Sequence, residues 1–208
     1  MARLGYSRIA AAVILTAAAW WLLPGMWRWI VGGLLLLLLA LLVQFYRDPH
    51  REPRGPVAAA SVLSPADGRV VDVHRDPDHL FISIFLSPFD VHVNRAPVTG
   101  RVVELHSIPG RFLAAFSERA SVENERVRLL IDSPEAGRVV CTQVAGLLAR
   151  RIENWIQVGQ EVTRGERYGM IHLGSRIDLE LPGRFTALTA PGQRVRAGVS
   201  VLAEPGAG

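Results

Sequence analysis

Lysine is missing from this chain of 208 residues, and all 23 of its basic side chains are arginine. Without a lysine amine, no Schiff base to pyridoxal phosphate can form on the chain, and neither biotin nor lipoate can be attached to it. Cysteine is almost absent as well. Cys141 stands alone, so there is no internal disulfide and no Cys-x-x-Cys motif. A reduced compartment and a packing role suit it. Aromatic residues make up only 7% of the chain, and no basic stripe is interleaved with them, which argues against a nucleic-acid partner. Excess charge is confined to one end. Residues 1–54 hold Arg3, Arg8, Arg28, Arg47, Arg51 and Arg54 against Asp48 and Glu52, whereas residues 55–208 balance 17 arginines with 17 acids.

Long apolar runs are what the N-terminal segment does have. Ile9 to Leu23 is unbroken and ends at Pro24-Gly25; Trp29 to Tyr46 is interrupted only by Gln44. A membrane span takes about 20 apolar residues, so the second run fits and the first is slightly short. Trp20, Trp21, Trp27, Trp29, Phe45 and Tyr46 sit at the run ends, where an aromatic belt would place them. Arginines flank the pair on both outer sides and only Arg28 lies between, which puts both ends in the cytoplasm. The pattern predicts a transmembrane helical hairpin over 1–46 and a basic, Pro-rich linker over 47–56 against anionic phospholipid. A domain over 57–208 would then face the cytoplasmic side of the cell (inner) membrane. The competing reading is a signal peptide ending near Ala17-Ala18-Ala19, which would turn the domain outward.

From residue 57 the hydrophobic period changes to two. Ser64-Pro65-Ala66-Asp67-Gly68 is a turn signal before a strand over Arg69–Val73, and Leu80–Leu86 is a buried strand. Between them, His74-Arg75-Asp76-Pro77-Asp78-His79 has a metal-like composition, but Pro77 among hydrophilic residues reads as a hairpin loop. No metal is expected. In Ser87 to Pro97, an extended backbone would put Asp90, His92 and Asn94 on one face and Val91 and Val93 on the other. An acid and a histidine on one face tune each other's proton affinity, although a solvated strand face reads equally well. Further strands are expected at Gly100–Ser107, Val127–Ile131 and Arg138–Val144, with a short helix or irregular lid over Arg111–Glu118. Arg150-Arg151 matches the geometry of phosphate oxygens, surface charge being the plainer reading. Gly159-Gln160-Glu161-Val162-Thr163-Arg164-Gly165 recurs 33 residues later as Gly192-Gln193-Arg194-Val195-Arg196-Ala197-Gly198. These turns resemble the barrel-sandwich scaffold of lipoyl and biotinyl domains. The expected fold is therefore mainly β and barrel-sandwich-like, with short helices.

One stretch near the C-terminus stands apart. Gly169 to Asp178 alternates like a strand, yet Gly174-Ser175 interrupts it, and glycine in a strand marks a bulge or a close backbone approach. The Ser175 hydroxyl can reach the Gly174 carbonyl, a geometry suited to an internal acyl shift. An ordinary bulged strand is the plain alternative. Strict alternation across the stretch places His172 on the opposite face from Ser175.

Several motifs in order carry a resemblance over about residues 57–204. They are Ser64–Gly68, Phe89-Asp90-Val91-His92-Val93-Asn94-Arg95-Ala96-Pro97, Glu123–Arg126, Ala149-Arg150-Arg151-Ile152 and Gly169–Arg176. Together they resemble phosphatidylserine decarboxylase in its short bacterial and archaeal form. The resemblance implies a proenzyme that cuts itself between Gly174 and Ser175 into a β-chain, 1–174, and an α-chain, 175–208. Ser175 would become a pyruvoyl group, which decarboxylates phosphatidylserine to phosphatidylethanolamine through a Schiff base, a step of phospholipid biosynthesis. It also implies that Asp67 orients a histidine during cleavage and that His92 transfers protons. Asp90, Asn94, Arg150 and Arg151 are the candidate substrate contacts. Longer members carry a second histidine where this chain has Arg95, which leaves open what activates Ser175. Lipid tails, including ether-linked ones, and assembly into homo-oligomers are unspecified by sequence. Two rivals are a non-catalytic membrane-anchored adaptor and a serine hydrolase; the second lacks a Gly-x-Ser-x-Gly elbow.

Overall fold

The computed structural model describes residues 5–53, 55–115, 117, 119–147, 151–172 and 174–206. The chain divides into two compact units, Met1–His50 and Arg51–Gly208. In the first, α1 (Gly5–Leu22) and α2 (Gly25–Phe45) are separated by Leu23 and Pro24. Proline has no N–H to continue a helix, so it ends the first and opens the second. Their 18 and 21 residues rise about 27 and 32 Å, close to the hydrocarbon thickness of a bilayer. Helix α1 begins at Gly5, ahead of the apolar run, and is therefore longer than the run implied. Ala12, Ala19 and Gly32 are buried between the helices, while Leu34, Leu36, Leu37 and Leu38 face outward. Small residues inside and leucines outside is the pattern of helices that pack in lipid. The Trp20 ring lies over Gly32 and meets Trp29 edge-on, with centroids 5.0 Å apart.

The second unit is built from β1 (Val62–Leu63), β2 (Gly68–Arg75), β3 (His79–Leu86), β4 (Val93–Arg95), β5 (Gly100–Ile108), the short α3 (Ala120–Glu123), β6 (Arg126–Ser133), β7 (Gly137–Val144), β8 (Ile152–Asn154), β9 (Glu161–Val162), β10 (Arg167–Ile171), β11 (Ser175–Pro182), β12 (Phe185–Ala187), β13 (Arg194–Val195) and β14 (Val201–Pro205). Eight of them form one curled sheet in the order β13-β2-β3-β11-β7-β6-β5-β9, and two three-stranded sheets, β1-β14-β12 and β4-β10-β8, accompany it. Alternation fixes the inner face. Ile82, Ile84 and Leu86 of β3, Ile177, Leu179 and Leu181 of β11, and Leu129 and Ile131 of β6 all enter one core. The β2–β3 hairpin closes where Asp76 Oδ1 accepts the amides of Asp78 and His79 at 2.8 and 2.6 Å, so the polar run at 74–79 is a turn. Arg111 forms an isolated bridge to Asn124, and among the described residues the nearby helix falls later, at α3, Phe116 and Glu118 lying outside them.

The eight-stranded sheet is a palindrome. Gly68 of β2 pairs with Val195 of β13, and Gly100 of β5 pairs with Val162 of β9. The Gly192 amide donates to Val70 at 2.8 Å, as Gly159 does to Val102 at 2.7 Å. A register shift follows Val70 on one side and Val102 on the other. The sequence behind this is Pro65-Ala66-Asp67-Gly68-Arg69-Val70-Val71 and, 32 residues on, Pro97-Val98-Thr99-Gly100-Arg101-Val102-Val103. The Gly-Gln repeat is therefore half of a larger duplication.

Inside the core, Cys141 Sγ lies 3.0 Å from the Tyr168 hydroxyl, and both side chains are fully buried. Burial pushes the thiol up from the ordinary 9.0 to about 12 and the phenol well above its usual value. The folded chain holds these protons more tightly than the unfolded one. Stability is therefore complete below about pH 9 and falls as pH rises toward 12, by at most about 1.4 kcal/mol per pH unit for each group. The urea midpoint should drop between about pH 9 and 10.5, less steeply in Cys141→Ala. Equal slopes for parent and variant would show that Cys141 has no part in it.

Candidate active site

The stretch that alternates like one strand is two strands in different sheets. Strand β10 ends at Ile171, β11 starts at Ser175, and the chain turns between them through Gly174, whose φ is +69°. That left-handed conformation suits glycine and makes the corner. Alternation is lost at the corner, so the opposite-face placement of His172 does not follow from it. Ser175 pairs with Leu86 at the end of β3. Its side chain turns inward with Ile177 and Leu179, and its Oγ is buried with no hydrogen-bond partner among the described residues. The Gly174 carbonyl oxygen packs against Gly146, just after β7.

His92 is fully buried, and its carbonyl accepts the Ile171 amide at 3.3 Å, which fastens the 87–97 segment to the strand entering the corner. Asn94 lies opposite Gly169 across β4–β10, and its Oδ1 accepts from Gln143 Nε2 at 2.8 Å. Gln143 lies opposite Ile177, one same-face step from Ser175, and is fully buried. One amide atom of each of Asn94, Gln143 and Asn154 is buried without a hydrogen-bond partner among the described residues. Such groups carry a desolvation cost unless something polar meets them.

Asp90 does not share this face. It sits in a turn before β4, and its Oδ2 accepts the Ser87 amide at 2.8 Å while its own amide donates to the Ser87 carbonyl. The extended segment begins only at Val93, and both of its faces are covered, so solvent lies on neither. Asp67 is buried, with Oδ1 accepting the Ala197 amide at 2.8 Å and Oδ2 accepting from Arg51 Nη2 at 2.7 Å. Its counterpart in the duplication, Thr99, accepts the Arg164 amide through Oγ1 at 3.0 Å. Arg95 is buried and donates through Nη1 to the Gly165 carbonyl at 2.9 Å. A guanidinium has no acceptor, so Arg95 cannot take a proton from Ser175.

Arg150 lies outside the described residues. Arg151 is largely exposed, with its Nε 2.9 Å from Glu153 Oε1. The same oxygen is 3.5 Å from His172 Nε2. On the outer face of the sheet, Arg176 is 2.6 Å from Asp178 and donates to Ser83 at 2.8 Å, at the wall of a cleft of about 310 Å³. Sequence reasoning missed Gln143, Glu153 and Gly146. Only Gln143 left a signal, a polar residue on the inward phase of an otherwise apolar strand.

A family model described as phosphatidylserine decarboxylase matches residues 38–203. Relatives described as phosphatidylserine decarboxylase proenzyme include one from Aromatoleum aromaticum, 43% identical over 204 residues, covering 94% of this chain and 89% of the relative. One from Ralstonia pickettii is 44% identical over 184 residues, with coverage of 86% and 83%. One from Burkholderia mallei is 43% identical over 174 residues, with coverage of 81% and 80%. With a buried serine at a sheet corner, these matches define an enzyme, a carboxy-lyase, and set the adaptor aside. The chain belongs to the phosphatidylserine decarboxylase family.

Proposed function

We propose that this chain cuts itself between Gly174 and Ser175 and that the two resulting chains together decarboxylate phosphatidylserine to phosphatidylethanolamine at a membrane. The observation that carries the proposal is Ser175: its buried Oγ has no hydrogen-bond partner among the described residues and directly follows a left-handed glycine. In the first step Oγ bonds to the Gly174 carbonyl carbon, the C–N bond breaks, and the hydroxyl proton passes to the freed Ser175 amine. The ester then loses the Ser175 Cα proton, and its Cβ–O bond breaks, releasing the Gly174 carboxylate and leaving dehydroalanine. Its imine tautomer takes up water and releases ammonia, which leaves a pyruvoyl group at residue 175.

The site fits that group, since the inner face at residue 175 is closed to solvent and polar atoms of Asn94 and Gln143 lie unspent nearby. The ketone supplies an electrophile for the serine amine and an electron sink as CO2 leaves. The remaining work falls to the protein. His92, buried and fixed, delivers the proton to the carbon that CO2 leaves. Asn94 and Gln143 hold the polar headgroup without a formal charge, which would favour the carboxylate over its loss. Arg151 meets the phosphate from the exposed edge. The hairpin α1–α2 holds the domain at the cytoplasmic face of the membrane, within reach of anionic headgroups.

The test is CO2 release from phosphatidylserine in mixed micelles by the purified protein, with equimolar phosphatidylethanolamine as product. Phenylhydrazine, which consumes ketones, should abolish it. A protein that releases no CO2, or is untouched by phenylhydrazine, sinks the proposal. Arg151→Ala should raise the apparent KM about fivefold at low salt and less at high salt, with kcat unchanged. An unaltered KM at both salts would remove Arg151 from the headgroup site.

A further inference from the structure

Gly146 is buried on a segment that the fold holds firmly. The Ala145 amide donates to Glu125 at 2.9 Å, and the Ala145 carbonyl accepts from Asn124 Nδ2 at 2.8 Å. Asn124 is itself buried and also grips both the amide and the carbonyl of Leu113, at 2.9 and 2.8 Å. Against this backbone rests the bond proposed to break. A Cβ on residue 146 would lie 1.7 Å from the Gly174 oxygen, 2.9 Å from the Gly174 carbonyl carbon and 3.2 Å from Ala115 Cβ. No side chain fits there unless the Gly174 carbonyl moves. Gly174 differs: a Cβ on it would meet nothing within 4 Å, and its requirement is the positive φ alone. The two glycines therefore serve separate needs, one conformational and one steric.

We infer that Gly146 is a positioning residue for chain cleavage, its bare Cα forming the seat of the scissile carbonyl. The inference rests on the self-cleavage proposed above. During the acyl shift the Gly174 carbon becomes tetrahedral, the C–O bond lengthens, and the oxygen takes up negative charge. An oxygen already seated against fixed backbone keeps the carbon turned toward Ser175 Oγ, and a misplacement of about 1 Å at such a step costs on the order of a hundredfold in rate. Seating also separates this role from Ser175, which supplies the attacking atom, and from Gly174, which makes the corner.

The test compares the parent with Gly146→Ala by intact mass, over time, after denaturing purification. The variant should remain largely a chain of 208 residues, cleaving about a hundredfold more slowly. Hydroxylamine, which splits an ester, should release little 1–174 fragment from it, because the acyl shift itself is blocked. Ser175→Ala and Ser175→Ala/Gly146→Ala, neither able to cleave, give the fold control by near-UV circular dichroism and melting. A folded double variant together with an uncut Gly146→Ala supports the seat. Cleavage of Gly146→Ala at the parental rate overturns it. Parental fragment yield with hydroxylamine also overturns it, since the shift would then be intact, and so does a double variant that does not fold. A parent that itself stays whole removes self-cleavage, an outcome distinct from all of these.

Discussion

Ser175→Ala should yield one uncut chain of 208 residues with no ketone and no decarboxylation, and it should melt no lower than an uncut parent. The first half follows from chemistry. Alanine has no oxygen to attack the Gly174 carbonyl and no leaving group on Cβ, so neither the acyl shift nor the elimination can start. The second half follows from burial. Ser175 Oγ is shut away from solvent without a hydrogen-bond partner among the described residues. A hydroxyl so placed costs about 1–3 kcal/mol in desolvation, and removing it relieves that cost while leaving only a small void. A nucleophile kept at the expense of stability is the expected mark of a functional position. Ser175→Cys should cleave slowly, since its thioester eliminates to the same dehydroalanine. Two readings sink this account: a Ser175→Ala protein found in two chains, or one melting several degrees below freshly prepared parent that is still uncut. The first would take the nucleophile from Ser175, and the second would mean that the hydroxyl has a partner.

Much of this site was legible in the sequence because its residues come in contiguous motifs. Ser175 and His92 become candidates only when the separate motifs are read together as a family resemblance, whereas the β architecture follows from period-two alternation between glycine turns. Alternation does not place Asp90, because the backbone is extended only from Val93 and the carboxylate caps the preceding turn. The same limit applies at His172, where a positive φ at Gly174 sends the chain into another sheet and alternation no longer relates its face to that of Ser175. Periodicity describes a strand and carries no information through a corner. Gly146 could not be found at all, since a missing side chain gives no signal until something is seen to occupy its space. Gln143 and Glu153 reach the site through pairings between distant strands, which no local window contains.

The duplication extends beyond the Gly-Gln turns, whose partners Pro65–Val71 and Pro97–Val103 share Pro-x-x-Gly-Arg-Val-Val. Placing them together changes what Asp67 means. Asp67 and Thr99 hold equivalent positions, and each accepts the amide of a residue in the matching turn, Ala197 and Arg164. Capping is thus the task common to the two positions, and a hydroxyl suffices for it. What only Asp67 adds is charge, spent in part on Arg51.

That comparison separates two roles of Asp67 by substitution. Asp67→Ala removes the cap and strands Arg51, whose side chain is only 12% exposed and whose Nε is buried with no hydrogen-bond partner among the described residues. Leaving one member of a buried pair uncompensated costs about 3 kcal/mol, and the lost cap adds about 1 kcal/mol. Asp67→Thr copies Thr99, restores the acceptor for Ala197, and should recover the smaller part. It stays folded at 25 °C while lacking a carboxylate. If the charge serves cleavage, as the family resemblance implies, this folded variant should cleave on the order of a hundredfold more slowly than the parent. Urea unfolding gives the stability difference, and intact mass over time gives the cleavage rate on the same samples. Parental cleavage by Asp67→Thr would confine the carboxylate to the ion pair with Arg51. A Thr variant no more stable than Ala would show that the two halves of the duplication have ceased to be equivalent at this turn.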